Sequence, residues 1–200
     1  MKLVKYLGFN NEPLQFSFEK VARGMFSTVY LRKDKVLSFS STPDKEIAET
    51  AKRHGGSVHI PDFKHVGYNL RGEPKRAYMC PYYHPVKGVA RNRMKVVLDW
   101  LESVTGKSLL FNITTNDVLD VYWKDEEQHL EPEVAALIDL CTVAANYCGY
   151  PQKMILDLVP ANFRMDDDGN LILLDVMFSS KEREIVTQKL EQKREINKYR

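Results

Sequence analysis

The sequence predicts an α+β fold in two parts, a small β-rich N-terminal part and a mainly helical C-terminal part. Three observations predict it. Apolar and polar residues alternate in stretches between Leu14 and Phe39, apolar spacing turns helical from Gly88, and short apolar runs between Met154 and Phe178 are separated by polar turns. Two hundred residues with 44% apolar content can bury a substantial core. A formal net charge of +2 creates no broad field for nucleic acid. No apolar run reaches membrane-spanning length and the opening Met1-Lys2-Leu3-Val4-Lys5-Tyr6 is too short for a signal peptide, so a soluble cytoplasmic protein is expected. Cys80, Cys141 and Cys148 are odd in number and lack metal-ligand spacing; they fit packing roles in a reduced compartment.

In chain order, Leu14, Phe16 and Phe18 alternate, and Thr28–Leu31 and Val36–Phe39 flank a charged turn at 32–35, which predicts three antiparallel strands. Ser41-Thr42-Pro43-Asp44 opens a helix, with Thr42 as cap, Pro43 at the first helical position and Asp44 at the positive end. Gly55-Gly56 closes it. Residues 64–70 and 76–79 form a hairpin around Arg71-Gly72-Glu73-Pro74. Three amphipathic helices follow: one carrying Val89, Met94, Val97, Trp100, Leu101 and Val104, one from Thr115 to about Tyr122, and one carrying Val134, Leu137, Ile138, Cys141, Ala144, Ala145 and Cys148. The last ends at Gly149 and delivers the chain into the block from Met154 to Phe178.

That block carries the chemistry. Phe163 and Met165, the turn Asp166-Asp167-Asp168-Gly169-Asn170 and the run Leu171–Leu174 predict a hairpin whose ends bring Asn162 near Asp175. An amide oxygen and a carboxylate converging there make a hard-oxygen site suited to Mg²⁺, which takes few protein ligands plus substrate phosphates. Asp157 lies across the loop, where a carboxylate can accept the proton of an attacking hydroxyl or orient it. With 13 Asp and 10 Asn in the chain, Asp, Asn five positions on and Asp thirteen further are expected about 0.04 times by chance, so the pattern counts by itself. The plainer reading makes Asp157 and Asn162 turn caps and Asp175 a strand end. The acidic run 166–168 lacks the ligand alternation and terminal Glu of a calcium loop and is expected to be a solvated turn.

Asp157-Leu-Val-Pro-Ala-Asn162 with Asp175 resembles the catalytic loop and metal-binding Asp of the protein-kinase-like superfamily. Ile155-Leu156 stands where His-Arg usually precedes the Asp, and Asp175-Val176-Met177 replaces Asp-Phe-Gly. The stretches DLVPANFRM and LLDVMFSSK are similar to those of the small early serine/threonine protein kinases of T7-like phages. The resemblance implies a two-lobed kinase-like fold, with an N-lobe at 1–80, a truncated, mainly helical C-lobe at 81–180 and a basic helical tail at 181–200. It also implies ATP with Mg²⁺, Asp157, Asn162 and Asp175 as catalytic residues, and Asn162 and Asp175 as metal ligands. Ala22–Tyr30 resembles the phosphate-covering loop G-x-G-x-F-G-x-V-Y: Gly24, Phe26, Val29 and Tyr30 match, while Ala22 and Ser27 replace glycines, leaving fewer points where backbone approaches phosphate.

A kinase site needs a lysine on the third of these strands to hold the α and β phosphates, and Ser38 stands at that position. Lys33 and Lys35 are close enough in sequence to substitute, although a solvated turn is their plainer reading. Glu49 or Glu46 is the candidate partner of whichever lysine serves, with surface exposure as the alternative. The segment Cys80-Pro81-Tyr82-Tyr83 resembles the hinge, which puts Met79, Cys80 or Tyr82 near the adenine, and Pro81 removes one donor.

What the resemblance implies is transfer of the ATP γ-phosphate to Ser or Thr of bacterial transcription or translation proteins during host takeover, in the host cytoplasm. Two rivals stand beside it: a pseudokinase that binds a host protein without transfer, and a small-molecule phosphotransferase of the aminoglycoside or choline kinase type. The tail carries seven Lys or Arg against four Glu and fits either a solvated helix or a weak nucleic-acid or partner tether.

Overall fold

The computed structural model describes residues 2–8, 12–23, 27–70, 75–106, 113–124, 130–147 and 154–179, together with the helical positions 184, 188 and 191. Gly24, Phe26, Cys148 and most of the tail lie outside them. The fold is α+β. Strands β1 (Lys2–Leu7), β2 (Pro13–Arg23), β3 (Ser27–Arg32), β4 (Lys35–Ser40), β5 (Lys64–Asn69) and β6 (Arg76–Pro81) curl into a closed antiparallel barrel ordered β1-β2-β3-β4-β6-β5. Helix α1 (Asp44–Gly55) connects β4 to β5. The short strand β7 (His84–Pro85) leads to α2 (Val89–Thr105), α3 (Thr115–Tyr122) and α4 (Pro132–Tyr147). Strands β8 (Met154–Leu156), β9 (Phe163–Met165), β10 (Leu171–Leu173) and β11 (Met177–Ser179) then form two small sheets, β10-β9-β7 and β11-β8.

The three strands expected between 14 and 39 are present, and β1 adds to them. In β1, Val4 and Tyr6 point inward while Lys5 is exposed, the period-2 pattern of a half-buried strand. These two residues join Leu37, Phe39 and Ala77 in the barrel's own core, where the Phe39 ring meets Tyr6 and Tyr30 edge-on at 6.3 and 6.0 Å. The barrel closes where Tyr6 pairs with Asn69 and Leu7 with Tyr68. Gly67, at φ 143°, makes that approach possible: a Cβ there would lie 1.9 Å from the Leu7 carbonyl oxygen. Gly67→Ala is expected to open the closure at a cost of about 1–3 kcal/mol, seen as a lower melting temperature with the helical circular-dichroism signal retained.

Helix α1 ends as expected, with Gly56 at φ 67° and its N–H bonded to the Lys52 carbonyl at 3.0 Å. Its start differs from expectation. Pro43 occupies the cap position with no side-chain cap bond, and the Thr42 hydroxyl instead donates to the Asp44 carboxylate and sits against Ser40 Oγ. Helix α3 has the stronger start: Thr114 and Asp117 bond each other's backbone N–H at 2.8 and 3.2 Å, a capping box.

The larger core takes Ile47, Ala48 and Ala51 from α1, Tyr78 and Cys80 from β6, Val97 and Leu101 from α2, Leu137 and Cys141 from α4, and Phe163, Leu171 and Leu173 from the closing hairpin. Residues on both sides of position 80 thus share one core, with α1 against α4. The connection after α1 is fastened to the hairpin by His59, whose Nδ1 donates to the Leu171 carbonyl at 2.8 Å and whose carbonyl accepts from Leu173 N at 2.9 Å. Glu133, only 1% exposed, lies 3.8 Å from His59 Nε2 and accepts from Arg93 on α2.

Burial acts to raise the Glu133 pKa, but the Arg93 hydrogen bond leads the opposing interactions and holds it below the usual carboxylate value. A folded-state pKa that is depressed contributes stability present above the unfolded value and lost as pH falls through the folded one. Glu133→Gln is therefore expected to cost about 1.5–3 kcal/mol at neutral pH. Its melting temperature should converge on wild type as both are titrated below the carboxylate range, which pH-dependent thermal melts would check.

Candidate active site

Strand β8 ends at Leu156, whose N–H takes the Ile113 carbonyl at 2.8 Å, and Asp157 N–H then takes the Val176 carbonyl at 2.7 Å. The pairing of β8 with β11 therefore continues past the strand and anchors Asp157. Its carboxylate carries no hydrogen-bond or ion-pair partner among the described residues. A 3-10 turn, Pro160–Asn162, starts with a proline whose missing N–H costs nothing there and places Asn162 at the entrance to β9.

Asn162 ties the site together. Its carbonyl accepts from Leu174 N at 3.0 Å and Asp175 N at 3.3 Å, and its Nδ2 donates to the Asp157 carbonyl at 2.9 Å. The amide Oδ1 has no partner among the described residues and remains available to a cation. The hairpin thus brings Asn162 to Asp175 and both to Asp157. The acidic turn is solvated: Asp166 accepts from the backbone and side-chain nitrogens of Asn170 at 2.8 and 2.9 Å, and Asp167 pairs with His84 at 2.9 Å on the surface.

The cation at this site comes from an unexpected element. Lys45, the second residue of α1, places Nζ 3.2 Å from Asp175 Oδ1 and 2.9 Å from Asp44 Oδ2. It also lies 5.2 Å from the centre of the Phe63 ring, in cation–π range. The side chains of Lys45 and Asp44 are 6% and 8% exposed, that of Asp175 45%. Burial alone would lower the Lys45 pKa, but the charges of Asp44 and Asp175 outweigh it and raise it above the ordinary lysine value. For Asp44, burial is outweighed by Lys45 and by hydrogen bonds, which hold it at about 2; for Asp175, burial and the Asp44 charge prevail over Lys45 and push it up to about 7. Asp44 is the buried carboxylate partner of Lys45, and Asp175 the more exposed one.

The other expected site residues are placed as follows. Ser38 is 2% exposed, opposite Val29 and Tyr78, and neither its hydroxyl nor that of Tyr78 has a hydrogen-bond partner among the described residues. Lys35 has the parity of Leu37 and Phe39, which fill the barrel, so it lies on the opposite side of β4 from Ser38 and is exposed. Lys33 sits in the turn at φ 54°. Glu49 accepts from His65 N at 3.3 Å and pairs with Arg53 at 3.5 Å, while Glu46 bonds Arg76 and the Tyr147 hydroxyl, so neither glutamate pairs with a lysine among the described residues. Ser27 pairs with Ser40, which carries the exit of the β2–β3 turn to the start of α1. Cys80 is buried, its thiol pushed up to about 12 by burial, and pairs with Val36. Tyr82, expected near the adenine, has its N–H taken by the Asp34 carbonyl at 2.7 Å.

The sequence signal for Asp44 and Lys45 was present but faint. Ile47, Ala48 and Ala51 mark the buried stripe of α1, and continuing it one turn back reaches Asp44, with Lys45 beside it.

No family model and no curated protein matches the chain. Among solved structures it is similar to a GDP complex of the aminoglycoside 2'-phosphotransferase-IIIa, with 15% identity, a TM-score of 0.37 and coverage of 82% of this chain and 67% of that one. It is similar to a GDP and kanamycin complex of APH(2'')-IIIa, with 16% identity, a TM-score of 0.36 and coverage of 80% and 66%. A third is aminoglycoside phosphotransferase APH(4)-Ia in ternary complex with AMP-PNP and hygromycin B, with 15% identity, a TM-score of 0.37 and coverage of 82% and 68%. The chain spans about two thirds of the length of each of these structures. Likeness at that level assigns no activity. Among the described residues, no helix is long and apolar enough to cross a membrane.

Proposed function

We propose that the chain is an ATP-dependent phosphotransferase that phosphorylates a protein Ser or Thr hydroxyl. The observation that carries this reading is the hydrogen-bonded ring through Asn162, which links Asp157, Asn162 and Asp175. The acceptor class rests on the resemblance of the block from Met154 to Phe178 to the small phage kinases, which also makes bacterial host proteins the expected substrates.

In the proposed reaction the acceptor oxygen, oriented by Asp157, attacks the γ-phosphorus as the bond to the β,γ-bridging oxygen breaks. The hydroxyl proton passes to the Asp157 carboxylate, and ADP leaves with the bridging oxygen's electron pair. The oxygen donors Asn162 Oδ1 and Asp175 fit Mg²⁺, and among the described residues no group of three or more His, Cys, Asp or Glu could hold a metal alone. When bound, Mg²⁺ supplies charge neutralisation on the phosphates.

The test is incubation of the purified chain with γ-labelled ATP and Mg²⁺, with and without EDTA, against bacterial extract and a panel of amino alcohols and aminoglycosides. Metal-dependent label on proteins supports the proposal. Label confined to small molecules moves the acceptor class to a small-molecule hydroxyl, and no label from folded protein moves the reading to a pseudokinase.

A further inference from the structure

We propose that Lys45, delivered by the first turn of α1, is the cation that holds the α and β phosphates, and that Asp44 is its counter-ion in place of a helix glutamate. This rests on the nucleotide-site reading above and assigns a part of it that β4 does not fill. The strand position is closed to the role: Ser38 is 2% exposed, uncharged and packed opposite Tyr78, and Lys35 lies on the other side of β4. An ammonium nevertheless reaches the site, 3.2 Å from the half-exposed Asp175.

Placement supports the assignment. Ser27, at the exit of the β2–β3 turn, pairs with Ser40; the Ser40 hydroxyl meets Thr42, the Thr42 hydroxyl meets Asp44, and Asp44 meets Lys45. Lys45 therefore lies between the strand leaving the turn expected to cover the phosphates and the carboxylate expected to hold their metal. Asp44 holds the Lys45 ammonium in place from the buried side, and Asp175 is the more exposed of its two carboxylate partners. Glu49 and Glu46 are engaged elsewhere, with Arg53 and with Arg76.

The experiment is calorimetric titration of wild type, Lys45→Met and Asp44→Asn/Lys45→Met with Mg·ATP and with adenosine. The double variant removes both charges of the buried pair, so no unpaired Asp44 is left to unfold the chain. Loss of one charge-assisted contact predicts ATP binding weakened about 10- to 150-fold with adenosine binding unchanged. ATP affinity within about threefold of wild type in a cooperatively melting variant overturns the proposal, as does an equal loss for ATP and adenosine. A wild-type chain that binds neither ligand overturns the nucleotide-site reading, and the role of Lys45 with it.

Discussion

Asp157→Asn is expected to lower the rate of phosphoryl transfer by about 10²–10⁴-fold, the range associated with a positioned proton acceptor. The substitution keeps shape and volume, and the bonds that position residue 157 run through its backbone: N–H to Val176 and carbonyl from Asn162. The local fold should therefore persist. ATP affinity should also persist, because Asp157 is assigned to the acceptor and not to the phosphates, so the loss should fall on kcat. Steady-state kinetics alongside a thermal melt distinguish this from a structural effect. Equal activity in variant and wild type would remove Asp157 from the mechanism.

Phe163→Ala is expected to cost about 3–5 kcal/mol, as for a large aromatic removed from a packed core. The ring is completely buried and belongs to the larger core with residues from α1, α2 and α4. Phe163 directly follows Asn162, so the cavity would open beside the residue that ties the site together. For a chain of this size the melting temperature should fall by roughly 2–4 °C per kcal/mol, or about 10 °C in all. Phe163→Leu fills most of the same space and should retain much of that stability. A similar fall in both variants would mean that ring shape, and not buried volume, decides the cost.

The residues that chain-local rules govern were legible in the sequence. The hairpin from Phe163 to Leu173 follows from its glycine-containing turn and flanking apolar runs, and with it came the meeting of Asn162 and Asp175. Helix α3 and the end of α1 follow from amphipathic spacing and from Gly56. What was illegible depends on distant segments. Lys45 meets Asp175 across 130 positions of sequence, and no spacing rule connects them; the expected strand lysine drew attention to Lys33 and Lys35. Thr42 looked like a cap because local preference favours it, yet Asp44, buried by tertiary packing, took its hydroxyl. The bond from Tyr82 N–H to the Asp34 carbonyl in the β3–β4 turn likewise joins segments that no spacing rule connects.

The short closure of the barrel bears on how the molecule meets others. A sheet that ends in free strands offers its unpaired N–H and carbonyl groups as a template for another chain. Pairing Leu7 with Tyr68 and Tyr6 with Asn69 withdraws that template at one point. Strand addition, a common way of gripping an extended peptide, is blocked over those two pairs, while residues 2–5 of β1 lie outside the β1–β5 pairing. A chain whose closure fails should accordingly show itself first as self-association.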